Sequence, residues 1–415
     1  MKALTLPLLA TLVLSFVAAW GALSWKKHDQ FGAGGDPAAT ISIRPVAEFE
    51  PTFGIGISEQ VLTKKDGMAF MKALLASGTR VYLFIPGDKR EAIDKLLRNA
   101  PNLHGYERDN IVKIQLEHES MWARDYFPIP ILKKIPHVVP TPSFVDFVYR
   151  DGNTLDDAAI HQMALAINLS VDHLPLVLDG GNFLTNGEKC ILSEEVSEDP
   201  EILLLNSPEP PLESNIGKIF QAALGCQKTI LVSQIPHPHV DMWMKFLNKN
   251  VLAVNQIDLK SIDTVPGLSA PEREKARKIA RELDKTADML EDDFEVIRMP
   301  MPVPTENLLL TYSNAVLSNG KAIVPRYSKD LKLFKEETPE TLRAWQSTLV
   351  AMEKTVVSIY SKYGFEVTEV DSNEWIRDGG SFHCVTFHLP DLDAIGKNEE
   401  ISHDASRHDP EMGQR

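Results

Sequence analysis

Positive charge and long hydrophobic runs are both scarce in this sequence. It has 43 lysines and arginines against 58 aspartates and glutamates, which gives a net charge of -15 at pH 7. This balance argues against a nucleic-acid-binding protein and is compatible with a cationic ligand. One long apolar run is present, at residues 3–24. With 43% hydrophobic and 24% charged residues, the composition is that of a globular protein and excludes a multi-span membrane protein or a disordered chain.

The apolar run follows Lys2 and predicts an export segment. Val17-Ala18-Ala19 supplies small residues for cleavage, but the run is also long enough to span a bilayer. We therefore expect a signal peptide or membrane anchor over residues 1–27 and a linker over 28–42. A folded domain over 43–392 and a disordered polar tail over 393–415 should follow. The folded part should lie outside the cytoplasm.

Cysteine occurs only three times in 415 residues. In an exported protein an odd number leaves at least one thiol unpaired. Cys190 and Cys226 could form a bridge and leave Cys384 free, but geometry decides such a pairing. Cys384 follows Gly379-Gly380 and His383 and precedes an alternating run that resembles a strand. It is either an aimed nucleophile at the edge of a strand or a small buried hydrophobic residue.

Strand and helix patterns alternate along the chain, which predicts an α/β fold. The predicted strands are 53–57, 81–85, 111–114 and 322–325, and the predicted helices are 67–77, 89–99, 272–292 and 339–363. Two short segments recur. Trp122-Ala123-Arg124-Asp125 is echoed at 375–378, and Asp179-Gly180-Gly181-Asn182-Phe183 is echoed at 378–382. These echoes favour a pseudosymmetric ring of modules over an open doubly wound sheet.

A third polar segment, Pro236 to Phe246, contains three candidate site residues. His237, His239 and Asp241 alternate, so on an extended segment their side chains share one face. A histidine and a carboxylate on one face could act on one substrate. The same spacing also suits a metal ion, although no second cluster of suitable spacing completes a metal site. A solvated loop with prolines is the third possibility.

The motifs together resemble those of the guanidine-modifying deiminases. The closest resemblance is to the agmatine deiminase and Porphyromonas-type peptidylarginine deiminase family, over residues 44–390. The six matching segments, in family order, are Arg44–Pro51, Trp122–Asp125, Gly180–Asn182, His239–Asp241, Tyr312–Asn314 with the following strand, and Gly379–Thr386. Each is weak alone, and their order makes the resemblance strong.

The resemblance implies a pentein α/β propeller, in which five ββαβ-like modules surround a central site. It implies that Asp125 and Asp241 grip a guanidinium, that Cys384 attacks its carbon as a thiolate, and that His239 moves the protons. Further substrate contacts are expected from Trp122, Asn182, Asn314 and Arg150. No metal or organic cofactor is implied. The implied partner is a guanidino small molecule or an arginyl peptide, with possible anchoring of the N-terminus in a membrane.

The sequence departs from the family pattern at one notable position. Phe127 stands where the family commonly has glycine, which puts the backbone beside Asp125 in question. Export favours arginine or peptidyl-arginine as substrate, with agmatine as the second choice. Two alternatives of other classes stay open: a metal-dependent hydrolase built on His237, His239 and Asp241, and a catalytically silent binding protein on the same fold.

Overall fold

The computed structural model describes residues 41–101, 103–134, 141–149, 153–198, 212–265, 267–305, 308–329 and 338–396. The described residues from Ser42 onward belong to one compact unit. The strands are β1 (Ser42–Pro45), β2 (Thr52–Ser58), β3 (Arg80–Ile85), β4 (Ile111–Gln115), β5 (Ile129–Lys134), β6 (Thr141–Val148), β7 (Ser170–Val177), β8 (Leu184–Thr185), β9 (Lys189–Ser193), β10 (Lys228–Val232), β11 (Met244–Phe246), β12 (Val251–Gln256), β13 (Glu295–Pro300), β14 (Val316–Ser318), β15 (Lys321–Arg326), β16 (Glu366–Asp371) and β17 (Phe387–Pro390). The α-helices are α1 (Gly67–Ala76), α2 (Arg90–Asn99), α3 (Gly105–Asp109), α4 (Ala123–Tyr126), α5 (Thr154–Asp157), α6 (Ala159–Ile167), α7 (Glu195–Glu198), α8 (Leu212–Leu224), α9 (Leu259–Thr264), α10 (Ala270–Leu290), α11 (Pro339–Lys362) and α12 (Asn373–Arg377).

Within the described ranges these strands form five separate sheets. Their strand orders are β1-β5-β6-β7, β10-β9-β8, β11-β12-β13, β14-β15-β16 and β17-β2-β3-β4. Each sheet contains both antiparallel and parallel pairs. A parallel pair needs a long crossover, and α8, α10 and α11 supply it in the three three-stranded sheets. The fold is therefore mixed α/β, as the sequence predicts.

The predicted elements are found close to their expected positions. The strands predicted at 53–57, 81–85, 111–114 and 322–325 are β2, β3, β4 and β15, and the four predicted helices are α1, α2, α10 and α11. Local signals explain this agreement for α10. Ser269 and Glu272 form a capping box at its start, and its buried side chains recur every three or four residues from Ala276 to Leu290.

A turn with left-handed backbone joins β14 to β15. Asn319 and Gly320 have φ values of 47° and 77°, the pair of conformations that a tight hairpin turn requires. The side-chain amide of Asn319 also donates to the backbone oxygens of Thr52 and Ser77. The turn thereby ties the β14-β15 hairpin to the sheet that contains β2.

Cys190 and Cys226 form a disulfide. Cys190 lies on β9 and Cys226 lies two residues before β10, the parallel neighbour of β9, and both residues are buried. The bridge therefore closes the crossover that includes α8. Cys384 is the free cysteine of the chain, and it is buried.

The packed chain extends past residue 392. Leu392 and Ile395 are buried in a small apolar cluster with Val46 and Leu132. Residues 393–396 therefore belong to the folded body, and the polar tail cannot begin at 393 as expected. Residues 397–415 lie outside the described ranges. So do residues 1–40, which contain the predicted export segment and most of the predicted linker.

None of the helices in the described ranges combines the length and the apolar character that crossing a membrane requires.

Candidate active site

Cys384 lies in a turn between α12 and β17, not at the edge of a strand as expected. The strand that was predicted to begin at Val385 begins at Phe387. The turn is held by Asn314, whose Oδ1 accepts the backbone N–H groups of His383 at 3.1 Å and Cys384 at 3.3 Å. The backbone N–H of Arg124 donates to the Cys384 oxygen at 3.0 Å. The thiol is therefore aimed by contacts with residues distant in sequence.

Gly380 allows the chain to pass close to the thiol. A Cβ at this position would lie 2.6 Å from Cζ3 of Trp122 and 3.0 Å from Sγ of Cys384. Any side chain here would enter the space in front of the sulfur. Of the two glycines in the sequence motif, Gly380 is thus the one that keeps the approach to Cys384 open.

The thiol of Cys384 contacts polar groups on the side of Asn314 and Asp241. Nδ2 of Asn314 is 3.1 Å from Sγ, and Oδ2 of Asp241 is 3.7 Å from it. Burial raises the pKa of the Cys384 thiol well above its ordinary value, and the nearby carboxylates of Asp241 and Asp125 raise it further. Both effects favour the protonated thiol over the thiolate.

His239 lies between two carboxylates. Its Nδ1 is 3.5 Å from Oδ1 of Asp125, and its Nε2 is 3.3 Å from Oδ2 of Asp179. Burial by itself would lower the pKa of His239, but Asp125 and Asp179 raise it to about 10. Burial and the neighbouring Asp179 and Asp241 carboxylates raise the pKa of Asp125 to about 7, although His239 opposes this shift. At neutral pH the imidazole is charged and Asp125 is close to its midpoint.

Asp241 faces a second histidine. Oδ2 of Asp241 is 2.6 Å from Nδ1 of His383, whereas Oδ1 is buried and has no hydrogen-bond partner among the described residues. Burial would raise the pKa of Asp241, but His383 lowers it below its ordinary value. Asp241 is therefore an ionised carboxylate in which Oδ2 contacts the thiol and Oδ1 is an acceptor left over. Such a group needs a donor, preferably a cationic one.

One cavity brings the candidate residues together. Its lining residues are Trp122, Asp125, His237, His239, Met242, Asp378, Gly379, Gly380 and Cys384. Asp241 is fully buried next to this lining, between Cys384 and His383. The structure thus gathers Cys384, His239, Asp125, Asp241 and Trp122 from three separate sequence motifs. His239 and Asp241 do not share an extended segment, because Val240–Met242 is a turn of 3-10 helix.

Two predicted substrate contacts have other places in the structure. Asn182 is buried and its Oδ1 accepts the backbone N–H of Ser193, so it holds β9 and is not among the residues that line the cavity. Asn314 is also buried and holds the nucleophile turn. Arg150 lies outside the described residues.

Phe127 fits the fold without a glycine. Its backbone is extended, with φ of -95° and ψ of 153°, a conformation that any residue can adopt. Its ring packs 4.8 Å from that of Phe84 and 4.7 Å from that of Phe387, measured between centroids. The departure from the family pattern therefore leaves the backbone beside Asp125 unstrained.

The sequence motifs did not single out Asp179 and Asp378 as site residues. Asp179 contacts His239, and Asp378 lies in the cavity lining. Both are the first residue of the repeated Asp-Gly-Gly segment, so the echo was a signal that could have identified them. Neither residue falls inside the matched motif segments, which begin at Gly180 and Gly379.

His237 accepts the backbone N–H of His239 at its Nδ1, and burial together with the charge on His239 lowers its pKa to about 4. No group of three or more histidines, cysteines, aspartates or glutamates in the described ranges has a geometry that could hold a metal ion. His237, His239 and Asp241 therefore do not form the metal site that their spacing allowed, since His239 and Asp241 face different partners.

Gly181 occupies a space that no side chain can enter, which provides a test of the site geometry. A Cβ at this position would lie 2.6 Å from Nδ1 of His239 and 2.7 Å from Oδ1 of Asp125. Gly181→Ala should push these two side chains apart and lower kcat by about 10- to 100-fold, since misplacement by about 1 Å is costly in catalysis. Steady-state kinetics with a substrate that the wild type converts would measure this change in kcat.

Gly217→Ala is the matched control, because Gly217 lies within α8 and nothing stands within 4 Å of its added Cβ. It should keep wild-type kinetics. Equal kcat values for Gly181→Ala and Gly217→Ala would show that the contact between His239 and Asp125 is not required.

A comparison with protein-family models finds one family that matches most of this chain. The family model for the Porphyromonas-type peptidyl-arginine deiminases matches residues 60–390. The chain belongs to this family. The matched range contains Asp125, His239, Asp241 and Cys384.

The individual relatives of this chain are distant from it in sequence. A candidate agmatine deiminase from Marinomonas sp. is 22% identical over 267 residues, which cover 58% of this chain and 64% of the relative. A candidate agmatine deiminase from Legionella pneumophila is 22% identical over 305 residues, which cover 69% of this chain and 78% of the relative. The agmatine deiminase of C. jejuni has the same fold, with a TM-score of 0.58 at 18% identity, over 88% of this chain and 99% of that structure.

Proposed function

We propose that this protein is a cysteine-dependent deiminase that converts the guanidino group of arginine or a peptidyl arginine to a ureido group. One observation carries the proposal: the thiol of Cys384 lies beside Asp241, whose Oδ1 has no partner among the described residues, in a cavity that Asp125 and His239 also line. A guanidinium is planar and cationic, so it can donate to both carboxylates and present its carbon to the sulfur. Its charge would also favour the thiolate that burial disfavours.

The proposed reaction has two halves. The thiol of Cys384 gives its proton to solvent when the cation binds, and Sγ then attacks the guanidinium carbon and forms a C–S bond. The tetrahedral adduct breaks one C–N bond, and the nitrogen leaves as ammonia after taking a proton from His239. Water then attacks the amidino-thioether and gives one proton to His239. The C–S bond breaks to release the ureido product and the thiolate, and the second proton of this water passes through solvent to the ammonia, which becomes ammonium. The raised pKa of His239 suits its role as the acid in the first half.

The pKa shifts predict a bell-shaped dependence of kcat/KM on pH. Asp125 must be ionised to bind a cation, so activity should rise with pH through about 7. His239 must be protonated to release ammonia, so activity should fall above about pH 10. Because the bound cation lowers the pKa of Asp125, the acidic limb of kcat should lie at a lower pH than that of kcat/KM. A flat kcat/KM profile between pH 5 and 7 would contradict the role of Asp125.

We propose that the five sheets are the five modules of a propeller around this site. The three three-stranded sheets each follow the order strand, strand, helix, strand along the chain. The likeness to the C. jejuni enzyme in fold supports the same arrangement.

A second cleft next to the cavity of Cys384 is our argument for a substrate larger than agmatine. It shares Trp122 and Asp378 with the cavity of Cys384, and Gln60, Lys64, Lys89 and Glu119 line its other parts. An arginine within a peptide would place its flanking residues there. The names of the relatives support agmatine as the second candidate.

Detection of the ureido product with agmatine, free arginine and a blocked arginyl peptide distinguishes these substrates. The proposal expects the highest kcat/KM for arginine or the peptide. A clear preference for agmatine would overturn the substrate assignment and leave the deiminase chemistry standing, whereas no ureido product from any of them would overturn the proposed function.

Export is proposed from residues 1–27, and the disulfide between Cys190 and Cys226 supports it, because disulfides persist in oxidising compartments. Fractionation of cells that express the full chain should find it outside the cytoplasm, either cleaved or anchored in a membrane. Recovery of the whole protein from the cytoplasm would contradict this.

A further inference from the structure

A buried charge network lies behind the nucleophile, and the proposed chemistry does not use it. Its centre is Glu48, in the turn after β1. Oε2 of Glu48 is 2.6 Å from Nζ of Lys245 on β11 and 3.1 Å from Nε2 of His383. Oε1 accepts the backbone N–H of Leu317 at 2.9 Å. One carboxylate therefore connects the start of the folded chain with the turn that carries Cys384.

The contacts of His383 determine its protonation. Nδ1 lies 2.6 Å from Asp241 and Nε2 lies 3.1 Å from Glu48. A ring nitrogen without a proton would turn its lone pair toward a carboxylate, so both nitrogens carry protons and the ring is an imidazolium. The side chain of His383 is 3% exposed, which makes a positive charge there dependent on both partners.

The electrostatics of the two carboxylates agree with this arrangement. Burial would raise the pKa of Glu48, but His383 and Lys245 hold it well below its ordinary value. Burial would likewise raise the pKa of Asp241, and His383 lowers it. Both are ionised at neutral pH, as the imidazolium requires.

The other groups that face His383 are known from the structure. His388 lies 6.2 Å away between ring centroids, and burial lowers its pKa to about 3, so it is neutral. Nδ1 of His388 is 2.7 Å from a guanidinium nitrogen of Arg124. Cys384 is the next residue after His383 in the sequence. Glu48 and Asp241 are thus the carboxylates that hold the charge of this histidine.

We propose that Glu48 is a positioning residue for the deiminase reaction: it holds His383 as an imidazolium that orients Asp241 and balances its charge beside Cys384. This inference rests on the proposed function. Without Glu48 the ring would have one carboxylate partner instead of two and would no longer be held in one place, so the charge of Asp241 beside the thiol would be balanced less well and would oppose formation of the thiolate.

Glu48→Gln tests the inference, because glutamine keeps the shape and can still accept from Leu317 but carries no charge. We expect kcat to fall by about 10- to 100-fold with a smaller change in KM, since loss of a charge-assisted hydrogen bond has about this effect. A purely structural defect would instead lower the melting temperature and the fraction of active protein, and it would leave kcat per active site unchanged.

Two further variants separate the positioning role from folding. Glu48→Gln leaves Lys245 buried without its carboxylate partner and should lower thermal stability. The double variant, Glu48→Gln with Lys245→Met, should recover this stability while its kcat stays low. Glu50→Gln is the matched control. Glu50 lies two residues away and pairs with Arg44 at 2.7 Å, so its variant should keep the wild-type pH profile. Recovery of the wild-type rate and pH profile in the double variant would overturn the inference.

Alkylation of Cys384 by iodoacetamide gives a readout that needs no substrate. Because Cys190 and Cys226 are bridged, Cys384 is the free thiol that reacts. In Glu48→Gln the alkylation rate should rise at a pH about one unit higher than in wild type, the shift expected from one nearby charge. An unchanged profile would overturn the link from Glu48 to Cys384. If the wild type forms no ureido product, the proposed function fails while this measurement still stands.

Discussion

Replacement of Cys384 by serine should reduce formation of the ureido product below detection and leave the fold intact. A hydroxyl has nearly the same size as the thiol, so the contacts with Asn314 and Asp241 can persist. It cannot supply a thiolate, and without this nucleophile the C–S bond of the amidino intermediate does not form. Product assays and thermal unfolding of the purified variant measure the two parts of this expectation.

The disulfide provides the matched control for Cys384→Ser. The double variant Cys190→Ser and Cys226→Ser should keep turnover at 25 °C, because neither residue lines the cavity. Its free energy of unfolding should fall by about 2–5 kcal/mol, the usual effect of losing a native disulfide. A chloroacetamidine, which combines a guanidinium-like group with a reactive carbon, should label wild type and the disulfide variant but not Cys384→Ser. Normal turnover by Cys384→Ser would show that the proposed mechanism is wrong.

Asp241→Asn should cause the second largest loss, with kcat/KM lowered by a few hundred- to a few thousand-fold. The variant loses the ionised acceptor for the substrate cation, and it leaves the buried His383 imidazolium facing a neutral amide. Breaking one side of a buried charge pair costs about 3–5 kcal/mol, which corresponds to that range of rate. Measurement of kcat/KM with a substrate that wild type converts checks this value.

Asp293→Asn is the control for Asp241→Asn. Asp293 pairs with Lys189 and Lys228, and its side chain is 11% exposed, so the substitution also removes a largely buried carboxylate from an ion pair. It should affect stability and leave kcat/KM within about threefold of wild type, as for a site without catalytic contacts. If both variants had the same kcat/KM, Asp241 would have no special part in the reaction.

The sequence alone determined the features that depend on neighbours along the chain. The helices α10 and α11 were predicted because caps and apolar periodicity are local properties. Cys384, His239, Asp241 and Asp125 were identified because each lies in a short motif, and the order of the motifs indicated the family. In the structure Cys384, His239 and Asp125 line one cavity, and Asp241 is buried beside it.

Only the tertiary structure decided what each polar side chain faces. Asn182 and Asn314 stand in family motifs, yet one holds β9 and the other holds the nucleophile turn. Asp179 lies 60 positions before His239 in the chain, and Glu48 reaches Lys245 across 197 positions. Such contacts depend on how five sheets are placed, and neither periodicity nor motif spacing records that placement. Hydrogen bonds and charges act over a few ångströms in space, so the roles of these residues follow from folding and not from their order in the sequence.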